Sequence, residues 1–196
     1  MERIKIGQIG IGHAHASGNI EALRGLPELY DIAGVVEEES PDWPSPKAYE
    51  GLERMTEEQL LNTPGLQAVA VETSNADLVS TATRCMERGL HIHMDKPSGE
   101  TMEPFKKLVD GCKARGLALQ VAYMYRTNPA INFCFRALRE GWLGEVFEVH
   151  VVMSRRDGDH YRQFLSRFAG GAMYVFGSHL VDLVVAMLGR PQNVVS

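Results

Sequence analysis

The sequence predicts an α/β protein: a doubly wound, mostly parallel sheet over residues 1–122, followed by the beginning of a second α/β unit over residues 123–196. Three observations carry this. Apolar runs of strand length alternate with helical stretches of about 10–15 residues through the first part, the signature of βαβ units. A glycine pair, Gly10-x-Gly12, stands where the first strand hands over to the first helix. After Tyr123 the alternation breaks down, and long helical stretches surround one extended run.

The elements follow in order. Residues 3–9 read as a strand. Residues 13–26 read as a helix, weakened by Gly18 and closed by Pro27. Residues 30–37 (YDIAGVVE) are a second strand, and Pro41, Pro44 and Pro46 make the next stretch a loop. Thr56-Glu57-Glu58-Gln59 has capping-box spacing and opens a short helix. Strands are expected at 66–71, 90–94 and 117–123. The helices between them, 75–88 and 101–115, stop at Gly89 and Gly116. Right-handed crossovers then place helices on both faces of the sheet. Beyond Tyr123, residues 129–140 read as a helix and 144–154 (GEVFEVHVVMS) as a longer strand of period two. Residues 155–167 read as a polar loop. Residues 177–189 (GSHLVDLVVAMLG) form a helix, apolar on nearly every face and therefore buried, with Ser178 as its cap. Val194-Val195-Ser196 reads as a strand just beginning. Residues 123–196 would bury little alone, and a lone strand has no partner, so the chain is expected to be the front of a longer protein.

Composition narrows the function classes. The net charge is −5 and the basic residues form no stripe, which argues against a nucleic-acid partner. No run approaches ~18 apolar residues, so no membrane span is expected, and the N-terminus lacks a secretory pattern. Cys85, Cys112 and Cys134 are odd in number and form no CxxC. They read as reduced, mostly buried thiols, which fits a cytoplasmic protein.

The glycine pair points to a dinucleotide. Gly10 permits the tight turn, Gly12 lets the backbone approach a pyrophosphate, and the helix N-terminus attracts the anion. Ile11 and His13 belong to the same turn. The third, small position of the pattern falls on His15. Glu37 closes the second strand, where a carboxylate accepts hydrogen bonds from the adenosine ribose. Glu38 and Glu39 follow it with no basic residue adjacent in sequence, which favours NAD over NADP. No metal site is expected at His13 and His15: they are two apart, and no Cys, Asp or Glu lies near them in sequence. His13 is expected beside the cofactor phosphates and His15 at the helix–sheet contact.

Lys96-Pro97 follows a strand directly, so Lys96 lies at the carboxyl edge where open α/β sheets bind ligands. A lysine there can hold a substrate hydroxyl and help move its proton. His179 and Asp182 are three apart and share a face near the start of the last helix. Arg155, Arg156, His160, Tyr161 and Arg162 read equally as substrate contacts or as a solvated loop.

The ordered set "GIGHAH", Glu37, "ETSN" (72–75), "MDKP" (94–97), "YMYRTNP" (123–129), "EGWLGEV" (140–146) and "GGAMYVFGSHLVDLVVAMLGRP" (170–191) resembles the glucose–fructose oxidoreductase/inositol dehydrogenase (Gfo/Idh/MocA) family over nearly the whole chain. The resemblance implies an N-terminal Rossmann domain, and a second domain built on a large, predominantly antiparallel open sheet that often mediates homo-oligomers. It implies NAD or NADP as cofactor and a sugar, polyol or related substrate. Lys96 and His179 would be the catalytic pair, Thr73 and Asn75 would line the nicotinamide ribose, and Arg126 would lie near substrate. Asp95 stands where the family usually has Glu, and Gly170-Gly171-Ala172 replaces three glycines. Val175 occupies the position, four before the histidine, where the family often has a catalytic Asp, so Tyr174 or Asp182 is the candidate to assist Lys96 and His179.

The leading expectation is an NAD-dependent oxidoreductase that transfers a hydride between nicotinamide and a sugar- or polyol-like hydroxyl. Val175 motivates the alternatives: a non-catalytic NAD-binding sensor, or an enzyme that uses NAD transiently to lyse a glycosidic bond.

Overall fold

The computed structural model describes residues 2–37 and 46–195. Glu38, Glu39, the loop prolines Pro41 and Pro44, and Ser196 lie outside the described residues. The chain divides into two compact units, Met1–Ala122 and Tyr123–Ser196.

The first unit contains β1 (Ile4–Ile9), α1 (Ala16–Arg24), β2 (Tyr30–Val36), a 3-10 turn (Pro46–Tyr49), β3 (Arg54–Met55) and α2 (Glu57–Leu61). It continues with β4 (Ala68–Val71), α3 (Leu78–Glu87), β5 (His91–Met94), α4 (Met102–Ala114) and β6 (Leu119–Val121). The strands are all parallel, in the order β3-β2-β1-β4-β5-β6. The order reverses between β1 and β4, where doubly wound sheets bind ligands.

Local sequence explains most boundaries. Thr56 and Gln59 form the expected reciprocal box: the Gln59 backbone N–H donates to Thr56 Oγ1 at 3.2 Å, and the Thr56 N–H donates to Gln59 Oε1 at 2.8 Å. Helices α3 and α4 end at Gly89 and Gly116, with φ of 76° and 67°. Leu90 and Leu117 then donate back to Cys85 and Cys112, closing Schellman turns. The helix after β1 starts later than expected, at Ala16. The edge strand β3 has two residues, too few to leave a period-two trace in the sequence.

On one face of the sheet, Ile9, Val69, Val71, Ile92 and Met94 pack with Leu60 of α2, Leu78, Ala82 and Cys85 of α3, and Leu108 of α4. Ile20 of α1 forms a second cluster with Ile11, Val35, Ala48 and Tyr49.

The second unit contains a 3-10 turn (Met124–Thr127), α5 (Pro129–Arg139), α6 (Asp159–Leu165) and a π-helical turn (Met173–Gly177) that runs into α7 (Ser178–Leu188). Asn128 caps α5 by accepting from the N–H groups of Ala130 and Ile131. Four expectations are corrected here. Residues 144–154 make no strand, and no open antiparallel sheet is seen: a ladder needs a partner strand, and the described residues of this unit include none. The presumed polar loop contains α6, because Tyr161, Phe164, Leu165 and Phe168 recur at helical spacing beneath the charges, with Phe164 and Leu165 buried. Ser178 does not cap α7, since the preceding π turn feeds straight into the helix and leaves no free end there. Helix α7 is not buried all round: Val181, Val185 and Leu188 are exposed. Cys134 is likewise exposed, whereas Cys85 and Cys112 are buried. No helix of the described residues is long and apolar enough to cross a membrane.

Leu60 is fully buried and sits over Gly7, whose missing side chain leaves it room. Leu60→Ala is expected to cost about 2–5 kcal/mol through lost burial plus a cavity. Urea denaturation should show a lower midpoint at an unchanged slope.

Candidate active site

The parallel register aligns Val36, Ile9, Val71, Met94 and Val121 in one row across the sheet. The residues just beyond that row are Glu37, Gly10, Glu72, Asp95 and Ala122. Gly10, Glu72, Asp95 and Ala122 each donate a backbone N–H to the neighbouring strand. Three carboxyl groups and the glycine turn therefore share the carboxyl edge of the sheet, and Thr73, Asn75 and Lys96 follow immediately.

The turn after β1 is built by contact. Gly10 has φ of 93°, and a Cβ there would lie 2.4 Å from the Glu72–Thr73 backbone. Only glycine satisfies both limits. Gln8 is fully buried, and its Nε2 donates to the carbonyls of Gly10 at 2.9 Å and Ala16 at 3.1 Å. The Tyr49 hydroxyl donates to the Ile11 carbonyl at 3.4 Å. Burial pushes the Tyr49 phenol up to about 12, so it remains a donor. Gln8 and Tyr49 thus hold the turn in shape, a role the sequence reading did not assign to either. The one available signal was a polar residue, Gln8, in the inner half of the first strand, between Gly7 and Ile9.

His13 and His15 converge on Asp95, which lies far away in sequence. His13 Nδ1 is 2.8 Å and His15 Nδ1 3.0 Å from Asp95 Oδ2. His13 Nε2 is 2.9 Å from Asn75 Oδ1. The expected placement of His15 is corrected. It precedes α1, its side chain is half exposed, and the fully buried Ala16 supplies the small residue at the helix–sheet contact.

Two carboxyl groups behave oppositely. Burial raises Asp95, but hydrogen bonds from His13 and His15 outweigh it and hold the group well below the usual carboxylate range. Burial raises Glu72 to about 9, and the Asp95 charge pushes the same way, while Asn19 and Lys96 pull against them. At neutral pH Asp95 is ionised and Glu72 is a neutral acid.

The residues present fit a dinucleotide. The turn admits a close backbone approach, and Thr73 Oγ1 and Asn75 Nδ2 are buried with no hydrogen-bond partner. Lys96 is buried at the same edge. At the end of β2, Glu37 is not isolated from basic charge: Arg54, on the neighbouring β3, donates to Glu37 Oε2 at 2.6 Å. Sequence adjacency missed it because parallel pairing, not chain order, brings β3 alongside.

In the second unit, His179 is buried on α7 and packs edge-on against Tyr123 and Tyr125, at centroid distances of 5.6 and 5.3 Å. Arg126 binds Asp182 through two hydrogen bonds of 2.8 and 2.6 Å. Both Asp182 oxygens are thereby engaged. Val175 is buried in the π turn one turn before His179, and Tyr174 packs on Phe168. π-helical turns are rare and recur at functional sites.

Residues 4–123 match the GFO_IDH_MocA model, described as "Oxidoreductase family, NAD-binding Rossmann fold". Residues 134–196 match the GFO/IDH/MocA C-terminal domain. The chain is 25% identical over 200 residues to scyllo-inositol 2-dehydrogenase (NADP(+)) IolW of Bacillus subtilis, covering 99% of this chain and 54% of that protein. It is 24% identical over 208 residues to levoglucosan dehydrogenase of Pseudarthrobacter phenanthrenivorans, covering 97% and 52%. Among solved structures, the WlbA dehydrogenase of Bordetella pertussis, in complex with NADH and UDP-GlcNAcA, superposes with a TM-score of 0.77. That match has 18% identity and covers 96% of this chain and 60% of the other. The chain spans about half the length of the curated relatives it matches.

The neutral state of Glu72 gives a pH signature. The unfolded chain ionises this carboxyl in the ordinary range, while the folded chain keeps it protonated up to about 9, so Glu72 costs stability increasingly as pH rises through that window. Glu72→Gln keeps a carbonyl for Asn19 and removes the titration. Its melting temperature relative to the unsubstituted protein is expected to climb between about pH 5 and pH 9.

Proposed function

The chain belongs to the Gfo/Idh/MocA family of oxidoreductases with an NAD-binding Rossmann fold, and from that premise we propose that it is part of an NAD-dependent dehydrogenase acting on a sugar- or polyol-like hydroxyl. The single observation that carries this reading is the carboxyl edge, where Lys96 lies buried beside Asp95, within the same edge as the glycine turn and the unpartnered Thr73 and Asn75 atoms. Relatives named for inositol and levoglucosan support a polyhydroxylated substrate. In this reading residues 1–122 hold the cofactor, and residues 123–196 belong to a substrate and oligomerisation domain. A cytoplasmic homo-oligomer fits the composition and the free cysteines.

The bound nicotinamide supplies a hydride acceptor or donor. The protein's part is binding, orientation and proton handling. Gly10, Ile11, Gly12 and His13 shape the phosphate turn. Glu37 accepts from the adenosine ribose, and Thr73, Asn75 and Asp95 serve the other ribose. The Lys96 ammonium holds the substrate oxygen and takes part in moving its proton. His179 is the second catalytic residue, its ring fixed by Tyr123 and Tyr125. Arg126, Tyr174 and Asp182 serve substrate, with Asp182 orienting Arg126 rather than replacing the carboxylate absent at Val175.

A second reading, a non-catalytic NAD-binding sensor, is favoured by that same pair of observations: an aliphatic Val175 and an engaged Asp182.

Turnover of the full-length protein with NAD and a panel of sugars and polyols, followed in the reduced-nicotinamide absorbance band, separates the two. Lys96→Ala is expected to lower kcat/KM by about 10²–10⁴-fold while NAD still binds. Cofactor binding without turnover on any member of the panel selects the sensor. NAD should bind more tightly than NADP. Glu37→Gln should weaken NAD by about tenfold and narrow the gap, because it removes the ribose acceptor and releases Arg54 toward a 2′-phosphate. Calorimetry with both cofactors checks this.

A further inference from the structure

We propose that His13, His15 and Asp95 form a binding site for a divalent metal ion of the zinc class. Their donor atoms all lie within 4.8 Å of one another. Two imidazole nitrogens and one carboxylate oxygen are a donor set that such ions favour, with coordination positions left open for water or a ligand. Tetrahedral zinc, with bonds near 2.0–2.1 Å, places neighbouring donors roughly 3.3 Å apart. Here the Asp95 oxygen lies 2.8 and 3.0 Å from the two Nδ1 atoms, so a few tenths of an ångström of opening admits the ion.

The surroundings supply an independent argument. Asn75 Oδ1 lies 2.9 Å from His13 Nε2 and holds the far nitrogen of that ring, which turns Nδ1 toward the Asp95 carboxylate at 2.8 Å. Metal-bound histidines are oriented in this way, with the far nitrogen donating to an outer acceptor. The fully buried Glu72 adds a further oxygen beside the cluster: its Oε2, which has no hydrogen-bond partner, lies 4.0 Å from His13 Nδ1. The half-exposed His15 gives the ion an entry path.

Two of the three ligands sit on the glycine turn, so a bound metal fixes that turn and competes with the dinucleotide. This consequence rests on the cofactor reading above, whereas the metal site does not.

The test is a calorimetric titration of the chelator-treated full-length protein with Zn²⁺, with no cofactor present. The expectation is about one ion per chain, a Co²⁺ derivative with the absorption of a four-coordinate nitrogen/oxygen site, and no displacement by Mg²⁺. His15→Ala, at an exposed position and therefore expected to fold, should weaken Zn²⁺ by about tenfold or more, and Asp95→Asn should do likewise. Absence of Zn²⁺ binding, or binding that survives both substitutions, would overturn the site. A second arm measures NADH binding by fluorescence. Zn²⁺ should raise its Kd in the unsubstituted protein and not in His15→Ala. Zinc binding without an effect on NADH overturns the competition. Failure of NADH to bind the metal-free protein instead sinks the cofactor reading and leaves the metal site resting on the first titration.

Discussion

Everything at the candidate site depends on one steric fact: the backbone of the turn after β1 lies directly against the backbone that leaves β4. The space where a Gly10 side chain would stand is occupied by Glu72 and Thr73 main-chain atoms. Because the two strand ends meet this closely, the turn is carried over the edge of the sheet, and His13 and His15 reach Asp95 at the end of the next strand. Gln8 and Tyr49 then hold the turn from beneath through its carbonyl groups. The glycine is less a hinge than a clearance, and the polar contacts around it exist only because that clearance is kept.

The second organising feature is electrical. A parallel sheet in this register brings Glu72 and Asp95 to adjacent strand ends, in a region shielded from water. Two buried carboxylates side by side would repel strongly. The structure resolves the conflict unequally: the histidines and Asp95 form a charged group, and Glu72 takes the neutral role with Asn19 as its partner. The carboxyl edge of the sheet is thus already polarised.

Legibility in the sequence followed range. Features set by a few neighbouring residues were readable: the Thr56–Gln59 box, the glycine stops at 89 and 116, the alternation of apolar runs and helices, and the Gly10–Gly12 turn. Features set by pairing across the sheet were not. Arg54 meets Glu37 through a two-residue strand with no pattern of its own, and Asp95 meets the histidines across three strand ends. In the second unit the period-two run at 144–154 predicted a strand, but pairing rather than periodicity makes a strand. Helix α6 had its apolar spacing in plain view, masked by the density of charge around it.

The sheet order has a consequence for how the chain comes to be folded. β1 begins at Ile4, yet it is a central strand, flanked by β2 and by β4. A chain emerging from its N-terminus therefore presents this strand before either of its neighbours exists. One side of β1 stays open until residues 68–71 have been made, some sixty residues later in the chain. Pairing over such separations is slow compared with local helix formation, and an uncovered apolar strand is prone to find the wrong partner. The strand that carries the glycine turn is in this way the first to be made and is completed only when a distant segment arrives.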